Sequence, residues 1–381
     1  MFGDGFGRIA AVKLLVLESS TAIGGQELAV LLHAQGLRKR GHEMTLVVEP
    51  NSPIEDLARR EGLTVERLCM RKRCYASAFW RVRRLLRSLR PDIVHVNSSR
   101  DSWIASLAAR SVAPHPPVIR TRHISTPLNK NLTTRWLYQR LLDQVIVTGG
   151  ELTRRGLVER DGLDASRVAA FPIGIDVSYF RPGTPQRNLR EELGLPSSEL
   201  LVGLISYLRS YKGHEYFIDA AARVVARRKG VTFLISGRGP EEARLWARIA
   251  EQGVEHRVRM LGYREDLLNV FHSLDLFVIP SVEGDTIPQV LMQAMAVGLP
   301  VVSTTVGSIP DVVRNGETGF VVPPRDATAL ADRIHALLDD PIVRREMGAA
   351  GRALVERSYS LERMLDELEG IYRRVARKDR G

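Results

Sequence analysis

The sequence predicts an α/β protein with two doubly wound domains that face each other across a cleft. Short apolar runs of strand length alternate with segments of helical length, which is the pattern of parallel sheets covered by helices. The alternation begins again after residues 180–196, a stretch rich in proline and glycine that is typical of a linker. The chain has 381 residues, which is too long for one ordinary core and suits two domains.

Strands and helices follow in order from these apolar runs. In the first half, strands are predicted at 12–17, 44–48, 93–96, 118–120, 145–148 and 168–173, with helices at 26–40 and about 102–109. In the second half, strands are predicted at 201–205, 231–235, 258–261, 276–279 and 301–304, with helices at 213–228, 240–252, 265–273 and 361–377. A further helix is expected to begin at Pro288, because proline suits the first helical turn.

The composition indicates a soluble globular protein, with 44% hydrophobic and 26% charged residues. No apolar run in the sequence approaches the roughly 20 residues that span a bilayer. Residues 9–17 are interrupted by Lys13 and lack a small-residue cleavage site, which favours a strand over a signal peptide. Cys69 and Cys74 are too few and too oddly spaced for a disulfide framework or a zinc site. We therefore expect a cytoplasmic protein.

The formal net charge of +11 favours polyanionic partners. Its densest source is the segment 71–90, which contains no acidic residue. On a helix, this segment would place an apolar stripe and an arginine row on different faces; the stripe is Phe79, Val82, Leu86 and Leu89, and the row is Arg83, Arg87 and Arg90. Two interpretations stay open: a solvated helix face, or attachment to an anionic membrane surface with Trp80 near the interface.

The most informative segment runs from 275 to 310. A strand-length apolar run is followed by a loop with two carboxylates, Glu283 and Asp285, and then by a helix that is apolar almost all round. Its polar exceptions, Gln289 and Gln293, lie four residues apart and so on one face. Because buried amides need partners, that face is predicted to look into a polar cleft at the carboxyl edge of the sheet.

Three other loops at strand ends suit a phosphorylated ligand. Gly24 and Gly25 precede a helix whose free amides suit an anion, and Gly237 opens a similar loop, although plain turn geometry also explains such glycines. Arg209 and Lys212 follow the first strand of the second domain, where two cations suit a diphosphate. The sequence contains neither a P-loop motif nor the third glycine of a dinucleotide fingerprint.

His123, in the segment RTRHIST, follows a strand and would face the same cleft from the first domain, unless its role is structural. The sequence shows no D-x-D motif, no cluster of ligands at metal spacing, and no serine or cysteine nucleophile motif. We therefore expect neither a catalytic metal nor a covalent serine or cysteine mechanism.

Taken in order, the motifs of the chain resemble the retaining GT-B glycosyltransferases of the group 1 type, which include glycogen, sucrose and mannosyl-lipid synthases. The resemblance covers nearly the whole chain. It rests on GGQE, RGHEMTLVV, FPIGIDVSYFRP, LRSYKGHEYFIDAA, ISGRGPEE, QAMAVGLPVVST and VGSIPDVVRNGETGFVVPPRD. The combination of LRSYKGH with DTIPQVLMQA is most similar to enzymes of lipopolysaccharide and surface-glycan assembly.

The resemblance implies a GT-B fold, for which we predict domains at 1–180 and 181–357 and a C-terminal helix, 358–381, that crosses back to the first domain. It implies that the second domain holds a nucleotide-diphosphate sugar and the first domain holds a glycan or lipid-linked acceptor. The sugar would be transferred with retention, the leaving diphosphate would help to deprotonate the acceptor hydroxyl, and no cofactor or metal is expected.

The resemblance also assigns roles to the candidate residues. Arg209 and Lys212 would bind the diphosphate, with Gly237 nearby and the amides of Gly24 and Gly25 closing on it. His123 would contact the donor sugar and Gln293 the ribose. The sugar hydroxyls would be held by the loop Asp285, Thr286, Ile287, Pro288 and Gln289.

The chain departs from the family pattern at two places. The family arginine five residues before the lysine is Tyr207 here, so Arg209 is the candidate replacement. The family's paired glutamates correspond to Asp285 and Gln293 when the sequence is counted back from the helix, and Glu283 is the alternative acid. Glutamine supplies no negative charge to a ribose, although its oxygen still accepts a hydrogen bond.

Two other functions compete with transfer. A sugar-nucleotide epimerase or hydrolase would use the same fold, and fold alone does not separate them. The basic charge also suggests a nucleic-acid-binding protein, but the sequence lacks RNA-binding motifs and its aromatic residues are scattered. We therefore predict no nucleic-acid partner.

Overall fold

The computed structural model describes residues 11–22 and 24–378 and contains two parallel β-sheets. The strands of the first sheet are β1 (Lys13–Glu18), β2 (Glu43–Val48), β3 (Thr64–Arg67), β4 (Ile93–Val96), β5 (Val118–Arg122), β6 (Gln144–Val147) and β7 (Val168–Ala170). The strands of the second sheet are β8 (Leu200–Ile205), β9 (Val231–Ser236), β10 (Val258–Gly262), β11 (Leu276–Ile279), β12 (Val301–Thr304) and β13 (Gly319–Val322).

The strand orders are β3-β2-β1-β4-β5-β6-β7 and β10-β9-β8-β11-β12-β13. Each order reverses beside the first strand of its sheet, between β1 and β4 and between β8 and β11. Ligands of doubly wound sheets bind at the carboxyl ends of strands at such a reversal. The predicted fold class, two doubly wound α/β domains, is confirmed.

Helices cover both faces of each sheet. In the first half they are α1 (Gly25–Lys39), α2 (Pro53–Arg60), α3 (Tyr75–Leu89), α4 (Ser99–Arg110), α5 (Leu132–Trp136) and α6 (Glu151–Arg155). In the second half they are α7 (Leu189–Glu192), α8 (His214–Arg227), α9 (Glu242–Glu251), α10 (Leu267–Ser273), α11 (Gln289–Ala296), α12 (Ile309–Val312), α13 (Ala327–Asp339), α14 (Pro341–Ser358) and α15 (Leu361–Lys378). Because both faces of the sheets are covered, the central strands are almost wholly apolar.

The last helix, α15, packs on the first domain, as predicted. Leu368 and Tyr372 lie in the same core as β1 and α1. The hydroxyl group of Tyr372 lies 2.8 Å from Nδ1 of His95. Leu365 lies directly over Gly36, where an added Cβ atom would be 2.5 Å from the leucine Cδ1 atom. This helix therefore completes the core of the first domain.

The structure differs from the sequence predictions in several elements. The elements α2, β3, β13, α13 and α14 were not predicted. The strand β5 extends beyond 120 to Arg122. Its predicted end was too early because arginines are not typical of a buried strand. The second half of the predicted linker packs on the second domain: Leu189 is fully buried, and Arg190 pairs with Asp275 at 2.5 Å. The domain boundaries at 180 and 357 stay predictions.

Cys69 and Cys74 form one disulfide, where the sequence predicted neither a disulfide framework nor a zinc site. The turn between β3 and α3 brings their Cα atoms to 5.9 Å, which is within the range that a disulfide bridges. The bond closes a short basic loop that contains Arg71, Lys72 and Arg73, all of them exposed.

The basic segment 71–90 forms α3 from Tyr75 onward. Val82 and Leu86 are buried in the core, whereas Trp80 is 61% exposed. Arg83 does not join a free arginine row, because its Nε donates to the carbonyl oxygen of Ser111 at 3.3 Å. In the described part of the chain, no helix is long and apolar enough to cross a membrane.

Candidate functional site

Two glycines shape the carboxyl edge of the second sheet. Gly213 has φ = 73°, and an added Cβ atom would lie 1.9 Å from the carbonyl oxygen of Pro280. Gly237 has φ = 153°, and its Cβ atom would lie 1.9 Å from the carbonyl oxygen of Ser206. Only glycine fits such positions. The loops after β8, β9 and β11 are therefore packed backbone against backbone.

This packing places a cation against a carboxylate. Nζ of Lys212 lies 2.6 Å from Oδ1 of Asp285, and the two side chains are only 14% and 12% exposed. The hydroxyl group of Ser281 donates to Oδ2 of Asp285. A charge-assisted contact of this kind is among the stronger hydrogen bonds in proteins. The loop after β8 and the loop after β11 thus meet at one ion pair.

The two candidate acids occupy different environments. The side chain of Glu283 is 69% exposed, and its nearest cation is Arg325, at 3.6 Å. Asp285 lies four residues before α11 and faces Lys212. The structure therefore brings Asp285, and not Glu283, to the predicted diphosphate-binding lysine.

The loop 285–288 is fixed by its neighbours. An added Cβ atom on Gly307, which has φ = 58°, would lie 1.9 Å from the carbonyl oxygen of Asp285. The amide of Ser308 donates to the carbonyl oxygen of Thr286 at 3.2 Å. Thr286, Ile287 and Pro288 are all buried. Pro288 caps α11 in an extended conformation, so the helix begins one residue later than predicted.

Gln289 and Gln293 are half-buried on α11, whose residues Leu291, Met292, Ala294, Met295 and Ala296 are buried. The predicted contrast between two amides and an otherwise apolar helix is therefore present. Both side chains keep part of their surface accessible to a ligand.

Arginine and tyrosine pairs flank this edge of the sheet. Arg209 is exposed, and its guanidinium carbon lies 5.0 Å from the ring centroid of Tyr207. Arg238 lies 4.6 Å from the ring centroid of Tyr263. Sequence reasoning missed Arg238 and Tyr263. Their signal was positional, because Arg238 lies two residues after β9 and Tyr263 directly after β10, both at carboxyl ends of strands.

On the first domain, Gly24 caps the 15-residue helix α1 in an extended conformation, and both Gly24 and Gly25 are exposed. Behind them, the carboxylate of Glu18 accepts hydrogen bonds from Nε2 of Gln26 at 2.7 Å and from the hydroxyl group of Ser98 at 3.1 Å. Burial raises the pKa of Glu18. The helix start thus presents free amides beside a buried carboxyl group.

His123 follows β5 and carries a neutral imidazole. Both of its ring nitrogens are buried and have no hydrogen-bond partner within residues 11–22 and 24–378. Burial, together with the nearby His33, His95 and Arg120, lowers the pKa of His123 to about 3. A neutral imidazole offers one donor and one acceptor to a ligand hydroxyl.

One hydrogen bond joins the His123 loop to the second domain. The hydroxyl group of Ser125 donates to the carbonyl oxygen of Asp285 at 2.8 Å. A second contact between the domains lies nearby, where the hydroxyl groups of Thr153 and Ser308 are 2.7 Å apart. The structure therefore brings the loops of His123 and Asp285 together. Sequence reasoning missed Ser125, because hydroxyls in loops carry no distinctive pattern.

The described residues contain no group of three or more histidine, cysteine or carboxylate side chains that could hold a metal ion. The titratable groups that do cluster at the carboxyl edges are Lys212 with Asp285 on one domain, and Glu18 with Asp101 on the other. Burial raises the pKa of Asp101 well above its ordinary value, and the neighbouring Glu18 adds to this.

Comparison with known families identifies both halves of the chain. A family described as "Glycosyl transferases group 1" matches residues 199–340. A family described as "Glycosyltransferase Family 4" matches residues 23–179. The two matches cover most of the chain, and each corresponds to one of the two sheets described above.

Curated relatives agree with these families. The chain is 29% identical to the phosphatidyl-myo-inositol mannosyltransferase of Mycobacterium leprae, over 93% of this chain and 94% of that protein. It is 37% identical to a GDP-mannose-dependent mannosyltransferase of monoacylated phosphatidylinositol monomannoside from Corynebacterium glutamicum, over 53% of this chain and about half (55%) of that protein's length. It is 27% identical to the lipopolysaccharide core mannosyltransferase LpsB of Rhizobium meliloti, over 68% and 74% of the two chains.

Solved structures share the fold. A glycosyltransferase from Rickettsia africae superposes with a TM-score of 0.87 at 19% identity, covering 96% of this chain and 99% of that chain. Anabaena HepE in complex with UDP-glucose superposes with a TM-score of 0.82 at 21% identity, covering 94% and 99%.

Proposed function

This chain belongs to the group 1 glycosyltransferases, and on that premise we propose that it moves a sugar, with retention, from a nucleotide-diphosphate sugar to a hydroxyl group of a glycan or lipid-linked acceptor. The observation that carries the proposal is the ion pair of Lys212 with Asp285, at the carboxyl edge of the second sheet and tied by Ser125 to the loop of His123. A cation for phosphate and a carboxylate for sugar hydroxyls thus meet at one point of the cleft.

The second domain binds the donor in this proposal. Lys212 and Arg209 contact the diphosphate, and the amides at Gly24 and Gly25 approach it from the first domain. Arg238, which follows β9, and Gln293, which lies on α11, contact the nucleoside part. HepE, which shares the fold, was solved with UDP-glucose, and the Corynebacterium relative is named for GDP-mannose, so we propose a uridine or guanosine donor.

Donor binding exchanges the partner of Lys212. In the structure, the carboxylate of Asp285 neutralises the lysine. The diphosphate takes over this lysine, and Asp285 becomes free to accept hydrogen bonds from the sugar hydroxyls, together with residues 286–289. His123, being neutral, adds a hydrogen bond to the sugar without adding charge.

In the transfer step, the bond between the anomeric carbon and the diphosphate oxygen breaks. The acceptor oxygen forms the new bond on the same face, and its proton passes to the leaving diphosphate. Lys212, Arg209 and the helix starts stabilise the departing negative charge, which is the largest electrostatic demand of the reaction. These fixed charges make a metal unnecessary in this proposal.

The experiment that tests the function is product analysis with a radiolabelled nucleotide-sugar, after a thermal-shift screen has identified the nucleotide that stabilises the protein. Transfer gives a labelled glycan or lipid and free nucleoside diphosphate. Release of free sugar with no acceptor product would identify a hydrolase, and conversion of the donor to its epimer would identify an epimerase. Either result would overturn the proposal.

The pathway is proposed from the relatives. LpsB is named for lipopolysaccharide core synthesis, and the mycobacterial relative is named for phosphatidyl-myo-inositol. We place this chain in the assembly of lipopolysaccharide or another surface glycan. Its nucleotide-sugar would be supplied in the cytoplasm, where we expect the protein to work.

Peripheral attachment to the inner membrane face belongs to the same proposal. Exposed basic residues line the segment 71–90 together with the exposed Trp80; they are Arg71, Lys72, Arg73, Arg81, Arg84, Arg87 and Arg90. Each basic residue near an anionic surface contributes about 1 kcal/mol, and salt screens this attraction.

Sedimentation with liposomes that contain phosphatidylglycerol tests this attachment. The triple change Arg84→Ser, Arg87→Ser and Arg90→Ser should leave the protein in the supernatant at low salt. The matched control, Arg223→Ser, Arg259→Ser and Arg345→Ser, removes the same charge from exposed positions of the second domain and should still pellet. Equal pelleting of both variants would show that α3 is not the anchor.

A further inference from the structure

Two arginines lie buried side by side in the first domain. Arg120 and Arg122 are two residues apart on β5, so their side chains leave the same face of the sheet. They are only 8% and 5% exposed. Their guanidinium carbons lie 4.9 Å and 5.9 Å from the ring centroid of Tyr138.

The hydrogen bonds of this pair are incomplete. Nη2 of Arg120 donates to the hydroxyl group of Ser99 at 3.1 Å. Arg122 donates from Nη1 to the hydroxyl group of Tyr138 at 3.2 Å and from Nη2 to the carbonyl oxygen of Thr126 at 2.7 Å. The Nε atoms of both arginines are buried and find no acceptor among the described residues.

Neither guanidinium has a carboxylate of the described chain within 4 Å. Two acids interact with them from a greater distance, Asp101 with Arg120 and Asp161 with Arg122. Both acids have other partners. The Asp101 carboxyl accepts from the amides of Ser98 and Ser19. Asp161 is bound by Arg160 and by an amide.

A buried cation without a counter-ion is strongly unfavourable, and two neighbouring ones repel each other. Burial and the charge of Arg122 lower the pKa of Arg120, and the opposing effects of Tyr138 and Asp101 do not cancel this shift. The stacking on Tyr138 offsets part of the cost. It supplies no acceptor for the two free Nε–H groups.

The pair lies near the carboxyl edge of the first sheet, because β5 ends at Arg122. Ser99, the partner of Arg120, is the first residue of α4, which starts at the carboxyl end of β4. Arg120 is near enough to His123 for its charge to lower the pKa of that imidazole. Ser19, at the carboxyl end of β1, adds a fully buried hydroxyl group that has no partner within the described residues.

We propose that Arg120 and Arg122 bind an anionic group of the acceptor, a phosphate or a carboxylate, on the first-domain wall of the cleft. Two guanidinium groups with free N–H bonds match the paired oxygens of either group. The anion would anchor the acceptor beside His123, so that its hydroxyl group meets the sugar held at Asp285. This inference rests on the proposed function, which it deepens by naming the acceptor class.

Thermal shift and calorimetry on the full chain test the site, with inorganic phosphate and malonate as probes. Phosphate also suits the donor site, so Lys212→Ala separates the two. The expected result is that at least one probe stabilises the parent and Lys212→Ala alike. Binding should weaken at least tenfold in Arg120→Gln and in Arg122→Gln. Preference for phosphate or for malonate then identifies the acceptor group.

Stability without ligand separates a binding role from a structural one. If the arginines serve an absent anion, Arg120→Gln removes an uncompensated charge and leaves the melting temperature unchanged or higher. If the glutamine variant does not fold, Arg120→Lys replaces it in the test. This variant keeps the charge and should retain binding of the probe. A lower melting temperature in all variants together with undiminished probe binding would overturn the proposal.

The inference and the proposed function fail in different ways. Glycosyl transfer to uncharged acceptors only, with equal rates in the parent and the arginine variants, would remove the anion site and leave the transferase. Probe binding that depends on the arginines, in a protein that never transfers sugar, would keep the anion site and remove the acceptor role assigned to it.

Discussion

The two walls of the cleft are the carboxyl edges of the first and second sheets. Both present polar groups to a ligand, but they do so in opposite ways. On the second domain, the charged groups are accessible or paired: Lys212 with Asp285, and Arg209 and Arg238 on tyrosine rings. On the first domain, the polar groups are buried and their hydrogen bonds are incomplete, as in Arg120 and the neutral His123. The second wall is shaped by backbone packing around glycines, and the first wall by a network of buried side chains.

This difference implies different energetics of binding. The second wall exchanges one charged partner for another when a diphosphate arrives, so its response is electrostatic and depends on single residues. The groups of the first wall are dehydrated before any ligand binds, so the free energy of their desolvation lowers the stability of the first domain. The following experiments break or sharpen this contrast.

The largest effect is expected from Asp285→Asn. We expect turnover to fall by about 100-fold or more, which is typical for loss of a group that acts at the reacting centre. Affinity for the nucleoside diphosphate should rise, because Lys212 loses its internal counter-ion. Single-turnover assays and calorimetry measure the two effects.

The matched control is Glu283→Gln, which changes an exposed carboxylate two residues away. It should alter turnover by less than about threefold, since surface charges contribute little. A larger loss in Glu283→Gln than in Asp285→Asn, with both folded by circular dichroism, would assign the working acid to Glu283.

The next effect is on donor affinity. Lys212→Ala should weaken nucleoside-diphosphate binding by about 1.5–3 kcal/mol, the usual value of a charge-assisted hydrogen bond. Lys229→Ala, at an exposed position after α8, serves as the control and should bind like the parent. Equal affinities in calorimetry would remove Lys212 from the donor site.

The first domain should lose stability in acid, because it contains buried neutral histidines. Burial lowers the pKa of His33 to about 4 and of His95 and His123 to about 3. The unfolded chain takes up these protons below about pH 6.5, so the stability they hold is complete above that pH and is lost as the pH falls toward 3–4. The raised pKa values of Glu18 and Asp101 act in the opposite direction, since their contribution fades as the pH rises.

His95→Gln should therefore reduce the pH dependence of unfolding. Between pH 6 and 4.5, its free energy of unfolding should fall less steeply than that of the parent, by up to about 1.4 kcal/mol per pH unit. His256→Gln, at an exposed position, is the control. Parallel curves for His95→Gln and the parent in denaturant titrations at several pH values would contradict a buried neutral histidine.

The smallest effect is expected from chelation. If the fixed cations of the second wall stabilise the leaving diphosphate, EDTA should leave the initial rate unchanged within error. A rate that falls in EDTA and recovers with magnesium or manganese would add a metal to that wall.

The second wall was largely predictable from the sequence, whereas on the first wall the sequence pointed only to Gly24, Gly25 and His123. Lys212 and Asp285 stand at fixed distances from a strand end and a helix start, so local patterns place them. Arg120 ended a predicted strand and Arg122 lay beyond it. Their burial depends on Tyr138, which is distant in sequence, so no local pattern indicates it. The disulfide of Cys69 and Cys74 was not predicted for a different reason: the local turn between β3 and α3, and not the sequence spacing, brings the two residues together.

The position of α15 has a consequence for how the protein is made. During synthesis, the first domain emerges long before Leu368 and Tyr372, which complete its core. Until then the apolar surface of α1 and β1 is uncovered, and such surface invites aggregation. The first domain therefore finishes folding last, after the domain that follows it in the chain. Removal of α15 should therefore unfold the first domain. A separately expressed first domain would require α15 to be supplied with it.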